Sequence, residues 1–129
     1  MHMENYLKRL KPEIENNNVW ISTTMEKFKG ILKDLKDLGV YRISSISGTD
    51  VGRNIEVIYH LIHKNRAINI RVPVDKKNHT IETVTDIYPG ANLFERELSE
   101  MLGIHIRGHP DPRRLFLAHD SPNNPLRRS

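Results

Sequence analysis

Apolar residues recur along this chain with two periods, and the change from one to the other divides it. Met3, Leu7, Leu10 and Ile14 form one stripe at helical spacing, which predicts a short first helix. Pro12 falls inside the stripe, so that helix kinks or starts late, and Asn16-Asn17-Asn18 ends it. Met25, Phe28, Ile31, Leu32, Leu35 and Leu38 repeat with the same period, while Lys27, Lys29, Lys33, Asp34, Lys36 and Asp37 take the opposite face. Thr23 and Glu26 have the spacing of a capping box for this second helix, and Gly39 is its expected C-terminal stop.

The period then shortens to two. Tyr41 to Ile46 predicts a short strand closed by the turn-rich SGTDVG. Ile55, Val57, Tyr59 and Leu61 alternate, with Ile58 and Ile62 apolar on the other side, which suits a central strand. Ile68, Ile70, Val72 and Val74 alternate against Ala67, Asn69 and Arg71, and HKNR (63–66) links the two strands as a hairpin. DKKNH turns the chain into a fourth strand from Thr80 to about Ile87. After the turn Tyr88-Pro89-Gly90, helical spacing returns: Phe94, Leu98, Met101 and Leu102 share one arc, Asn92 and Glu95 read as a second capping pair, and Gly103 ends the helix. Helices segregated from hairpin-linked strands indicate an α+β fold. Helices pack on one face of a largely antiparallel sheet of four or more strands, followed by an irregular C-terminal tail.

Composition narrows the chemistry. The chain has 129 residues, enough for one domain with a real core. It contains no cysteine, which removes disulfides, thiolate zinc sites and cysteine-held iron–sulfur clusters. No apolar run is long enough to span a bilayer and MHMENYLKRL is too charged for a signal peptide, so a soluble cytosolic protein is expected. The net charge of +4 invites a nucleic-acid reading. Most cations are interleaved with carboxylates, however, and the few aromatics offer no stacking platform.

The ionisable residues cluster late in the chain. Glu95 and Glu97 diverge on the helical wheel and do not make a convergent acid–base pair, whereas Arg96 and Glu100 lie one turn apart and can pair. His60 and His63 point to opposite faces of a strand. His105 and His109 have the spacing of a helical zinc pair, but Gly108 and Pro110 oppose a helix there. No nucleophile elbow and no phosphate-binding glycine loop is present. The last residues, GHPDPRRLFLAHDSPNNPLRRS, combine four prolines, Arg113, Arg114 and Arg127, and the apolar Leu115, Phe116, Leu117 and Leu126. A stiffened basic arm with apolar anchors suits docking on another protein. The division expected is an α+β core over 1–104 and a docking tail over 105–129 of the same domain.

ERELSEMLG (95–103), then His109, Arg113, Leu115 and Pro125-Leu126-Arg127, with the lead-in Pro89-Gly90-Ala91-Asn92, resemble the signature of the 30-kilodalton subunit family of respiratory complex I. That family also takes in subunits of energy-converting nickel–iron hydrogenases. The resemblance implies a cofactor-free structural subunit of a peripheral arm, with no metal site and no activity of its own. It would brace the large subunit that carries the quinone site or nickel–iron centre and meet the membrane only through the complex. Glu95, Arg96, Glu97, Glu100, His109, Arg113, Arg114 and Arg127 would then face partners. Leu93-Phe94 stands where the family often has Trp followed by an aromatic, Pro112 replaces a usual leucine, and the chain closes on Arg128-Ser129. These departures lean towards a compact hydrogenase-type relative. The alternative is a nucleic-acid-binding domain that uses the basic tail.

Overall fold

A computed structural model describes residues 3–110. Its elements are α1 (Met3–Arg9), β1 (Glu13–Glu15), β2 (Asn18–Ser22), α2 (Phe28–Asp37), β3 (Arg42–Asp50), β4 (Asn54–His63), β5 (Arg66–Asp75), β6 (Thr80–Glu82), α3 (Ala91–Leu102) and β7 (His105–Arg107). Five strands form a sheet in the order β1-β2-β5-β4-β3, and β6 and β7 form a small second sheet. The large sheet is antiparallel except where β2 runs parallel to β5. The fold is α+β, as the alternation of periods implies.

Cross-strand rows build the core. Val19, Ile68, Leu61 and Ile43 stand side by side, and so do Ile21, Ile70, Tyr59 and Ile46. A bulge between Ile43 and Ser45 inserts the extra residue that lets Ile43 and Ile46 share a face despite their odd spacing. Against these rows α2 buries Phe28, Ile31, Leu32 and Leu35, and α3 buries Ala91, Leu98 and Leu102. Phe28 stacks on Tyr59 with ring centroids 5.5 Å apart. The opposite face of the sheet is polar: His60 Nδ1 lies 2.7 Å from Asn69 Oδ1, and Arg71 lies over the Trp20 ring.

Several local expectations are corrected. The first helix ends at Arg9 because Lys11 precedes a proline and leaves the helical region, at φ 52°. Ile14 is thus no part of the helical stripe; it pairs with Val19 in β1 and is exposed. Asn16 and Asn17 make the β1–β2 turn, with Asn16 at φ 55°. Thr23 does not cap α2, because its N–H donates to the Arg71 carbonyl and extends β2. The helix begins at Phe28, after a turn closed by Thr24 O, so Glu26 has no box to complete. At the other end Gly39 behaves as expected. With φ 104° it donates to Lys36 O while Val40 N donates to Leu35 O, and Leu35 and Val40 are both buried. SGTDVG is strand up to Asp50, and only residues 51–53 turn. The fourth expected strand stops at Glu82, for a reason found in α3.

Candidate functional site

Helix α3 starts after Gly90, and no side chain caps it. Asn92 and Glu95 are not a capping pair here. Glu95 points inwards and is 1% exposed. Its Oε1 accepts from Thr83 Oγ1 at 2.6 Å and its Oε2 from Val84 N at 2.8 Å. These bonds take up backbone and side-chain donors at residues 83–84, while Thr83 N still reaches Arg107 O. The chain therefore leaves the strand at Glu82 and turns through Val84–Tyr88, with Tyr88 N bonded to Val84 O at 2.7 Å. Tyr88 closes the layer by donating its hydroxyl to Val40 O at 2.7 Å, and burial pushes the pKa of that hydroxyl up to about 12.

Burial raises the pKa of the Glu95 carboxyl above its ordinary value. The bonds from Thr83 and Val84 and the positive fields of His109 and Lys29 oppose that rise in part. Behind Glu95 stands Tyr59, fully buried, with no partner for its hydroxyl among the described residues. Burial and the Glu95 charge both hold the Tyr59 hydroxyl neutral.

The helix stops at Gly103, whose φ of 70° lets its N–H return to Ser99 O at 2.8 Å. The chain then runs as β7 parallel to β6, Thr80 opposite His105 and Glu82 opposite Arg107. Gly108, at φ 82°, bends it back over Thr83 Cγ2. His109 is thereby buried and donates from Nε2 to the Asn92 carbonyl, 3.1 Å away. The end of the described chain is thus tied to the start of α3.

Of the residues singled out in the sequence, Glu95 and His109 lie inside the chain, each with an intramolecular partner. Glu97 and Glu100 are exposed. Arg96 is half-buried, and among the described residues it forms no ion pair with Glu100. Among the described residues its Nε is buried and without a partner, as are Asn92 Oδ1 and Ser99 Oγ. Residues 92, 96 and 99 fall on one side of α3, so these three atoms form a polar stripe beside the buried arc. Arg113, Arg114 and Arg127 lie outside the described residues. Met101, expected in the buried stripe, is 43% exposed, because the arc centres on Ala91, Glu95, Leu98 and Leu102. The sequence pointed to Glu95 but not to its partners Thr83 and Val84; only the spacing of 95 from 91, 98 and 102 signals that it turns inwards.

No group of three or more His, Asp or Glu among the described residues converges on a metal position. Among the described residues, Lys29, Arg66, Arg71, Lys76 and Arg107 each face a carboxylate.

The family model described as the respiratory-chain NADH dehydrogenase 30 kDa subunit matches residues 21–129. The chain belongs to that family. It is 35% identical to an NADH-quinone oxidoreductase subunit of Rhizobium rhizogenes over 124 residues, covering 90% of this chain and 62% of that protein. The equivalent protein of a Roseiflexus species is 38% identical over 102 residues, covering 75% and 59%. The chain thus spans about three-fifths of the length of these relatives. Among solved structures, a trypsin-resistant fragment of Nqo5 superposes with a TM-score of 0.74 at 28% identity, over 86% of this chain and 99% of the fragment. A chain of the membrane-bound sulfane sulfur reductase, an archaeal respiratory membrane complex, shares the fold with a TM-score of 0.74 at 21% identity, over 84% and 72%.

Proposed function

We propose that this family member is a structural subunit in the peripheral arm of a complex I-like oxidoreductase, the class that includes energy-converting hydrogenases. It braces the large subunit that carries the redox site, holds no cofactor and performs no reaction of its own. No described helix is long and apolar enough to cross a membrane, which suits a subunit that reaches the membrane only through its complex. Family membership sets the class of assembly. The observation that carries the bracing role is the polar stripe on α3.

Leaving a buried donor or acceptor unpaired costs about 1–3 kcal/mol. Asn92 Oδ1, Arg96 Nε and Ser99 Oγ are three such atoms in one row. Asn92 and Arg96 are only half-buried as residues, so a neighbouring subunit that docks there and draws either side chain outwards would relieve that cost, and the row favours the assembled state over the isolated chain. Arg113, Arg114 and Arg127 come later in sequence than His109, which is held at Asn92, and the reading gives them the same role, as forked donors for a partner's carboxylates. Within this reading Glu95 and His109 act from inside. They fix α3 and the segment around His109, while Arg96, Glu97 and Glu100 meet partners.

The test is an affinity-tagged full chain expressed in its host, recovered with and without Arg96→Ala. The substituted chain melts at or slightly above the original temperature, since an unpaired group has been removed. Its recovery of the large subunit falls about fivefold or more, in line with a hydrogen bond to a charged group. Unfolding of the isolated Arg96→Ala chain would instead make Arg96 a residue of the fold and end the interface assignment.

A further inference from the structure

The other flank of α3 carries a second surface. Ile46, Ser47 and Gly48 of β3 and Glu97, Leu98, Glu100, Met101 and Leu102 of α3 line a groove of about 270 Å³. Its floor is apolar, with Leu98 and Leu102 beneath and Met101 standing 43% exposed at the side. Gly48 opens it: a Cβ there would overlap Leu102 Cδ1 and stand 2.7 Å from Leu98 Cδ1. Glu97 and Glu100 make an acidic rim, and neither has an ion-pair partner among the described residues.

The groove runs along a strand edge that is open among the described residues. β3 ends the five-stranded sheet, so half of its backbone N–H and C=O groups point away from β4. The bulge between Ile43 and Ser45 disturbs the first part of that edge, but from Ser45 to Asp50 the register is unbroken. The regular stretch is the one beside the groove.

Resting on the reading that this chain is built into a larger assembly, we propose that the β3–α3 groove is a second docking surface, separate from the polar stripe. Its occupant is an extended segment of a neighbouring subunit with an apolar side chain flanked by Arg or Lys. The segment pairs with β3 through main-chain bonds, seats its apolar residue over Leu98 and Leu102, and sets its cation against Glu97 and Glu100. Three independent features of one place agree on that chemistry: an apolar floor and, among the described residues, an unpaired strand edge and unneutralised carboxylates.

A photo-crosslinking amino acid introduced at position 101 of the tagged full chain, irradiated in the host, reads the occupant by mass spectrometry. The expected product joins position 101 to a segment of another subunit that has Arg or Lys within two residues of an apolar one. Glu97→Lys with Glu100→Lys lowers its yield about fivefold or more, the scale of the better exposed ion pairs lost together, and leaves the melting temperature of the chain unchanged. Recovery of partner subunits with no product at position 101 overturns the groove assignment and leaves the assembly reading standing. A product with residues 111–129 of the same chain, or with a second copy of it, also overturns it. Failure to recover any partner subunit removes both.

Discussion

Among single residues, Glu95 shows how one buried carboxylate organises its surroundings. It joins α3 to residues 83–84 through two short bonds in a place with almost no solvent. Glu95→Ala leaves the Val84 N–H and the Thr83 hydroxyl without an acceptor, and urea unfolding of the isolated chain should show a loss of about 1–3 kcal/mol. Burial also sets a pH dependence. The folded chain holds the Glu95 proton more tightly than the unfolded chain, where the carboxyl returns to its ordinary value of 4.5. Its contribution to stability is therefore full below that value, declines as pH rises through the raised folded value, and is flat above it. Relative to Glu95→Gln, which does not titrate, the native chain should lose stability as pH rises from about 4.5. A difference that stays level, or that grows with pH, would contradict the assignment of burial as the dominant cause.

Among the elements, turns and close approaches decide where strands and helices end. The β4–β5 hairpin turns on Lys64 and Asn65, with Lys64 in the left-handed region at φ 56°. A side chain meets a steric penalty there that glycine avoids, so Lys64→Gly should raise stability by about 0.5 kcal/mol, measured as a shift in the urea midpoint. The contact between β3 and α3 makes the opposite demand. Gly48→Val places branched atoms where Leu98 and Leu102 already lie, and overpacking should cost about 1–3 kcal/mol. Leu102→Ala in the same chain should recover part of that loss if the clash is the cause. The elements read well from sequence were those with a long periodic signal: α2 from Phe28 onwards, β4, β5 and α3. Those missed, namely β1, β2 and β7, and β6, whose start was expected but whose end was not, have three to five residues each, too few for a period to register. Long-range partners fix them instead: β5 for β2, and β7 for β6.

For the molecule as a whole, the buried apolar core of the described residues lies between Leu7 and Ile106. A chain ending after Pro110 keeps every residue of that core and should therefore still unfold cooperatively in urea. Under the proposed bracing role it should recover far less of the large subunit, since Arg113, Arg114 and Arg127 are gone. A truncated chain that assembles as well as the full one would confine the interface to α3 and its two flanks.

The class of the molecule was written in its residues. Two periods required helices over a sheet, the lack of cysteine closed off thiolate chemistry, and the ERELSEMLG stretch with its trailing His and Arg carried the family resemblance. The roles within that stretch came from folding. Periodicity places Glu95 at the border of the apolar arc, a spacing that turns it inwards but supplies no partner for its carboxylate. The donors of Thr83 and Val84, supplied by a distant turn, allow a carboxylate to be buried there and so rotate Met101 and Glu97 towards the groove. Charge can be counted along the chain, but whether it is buried, paired or presented depends on groups brought together from far apart.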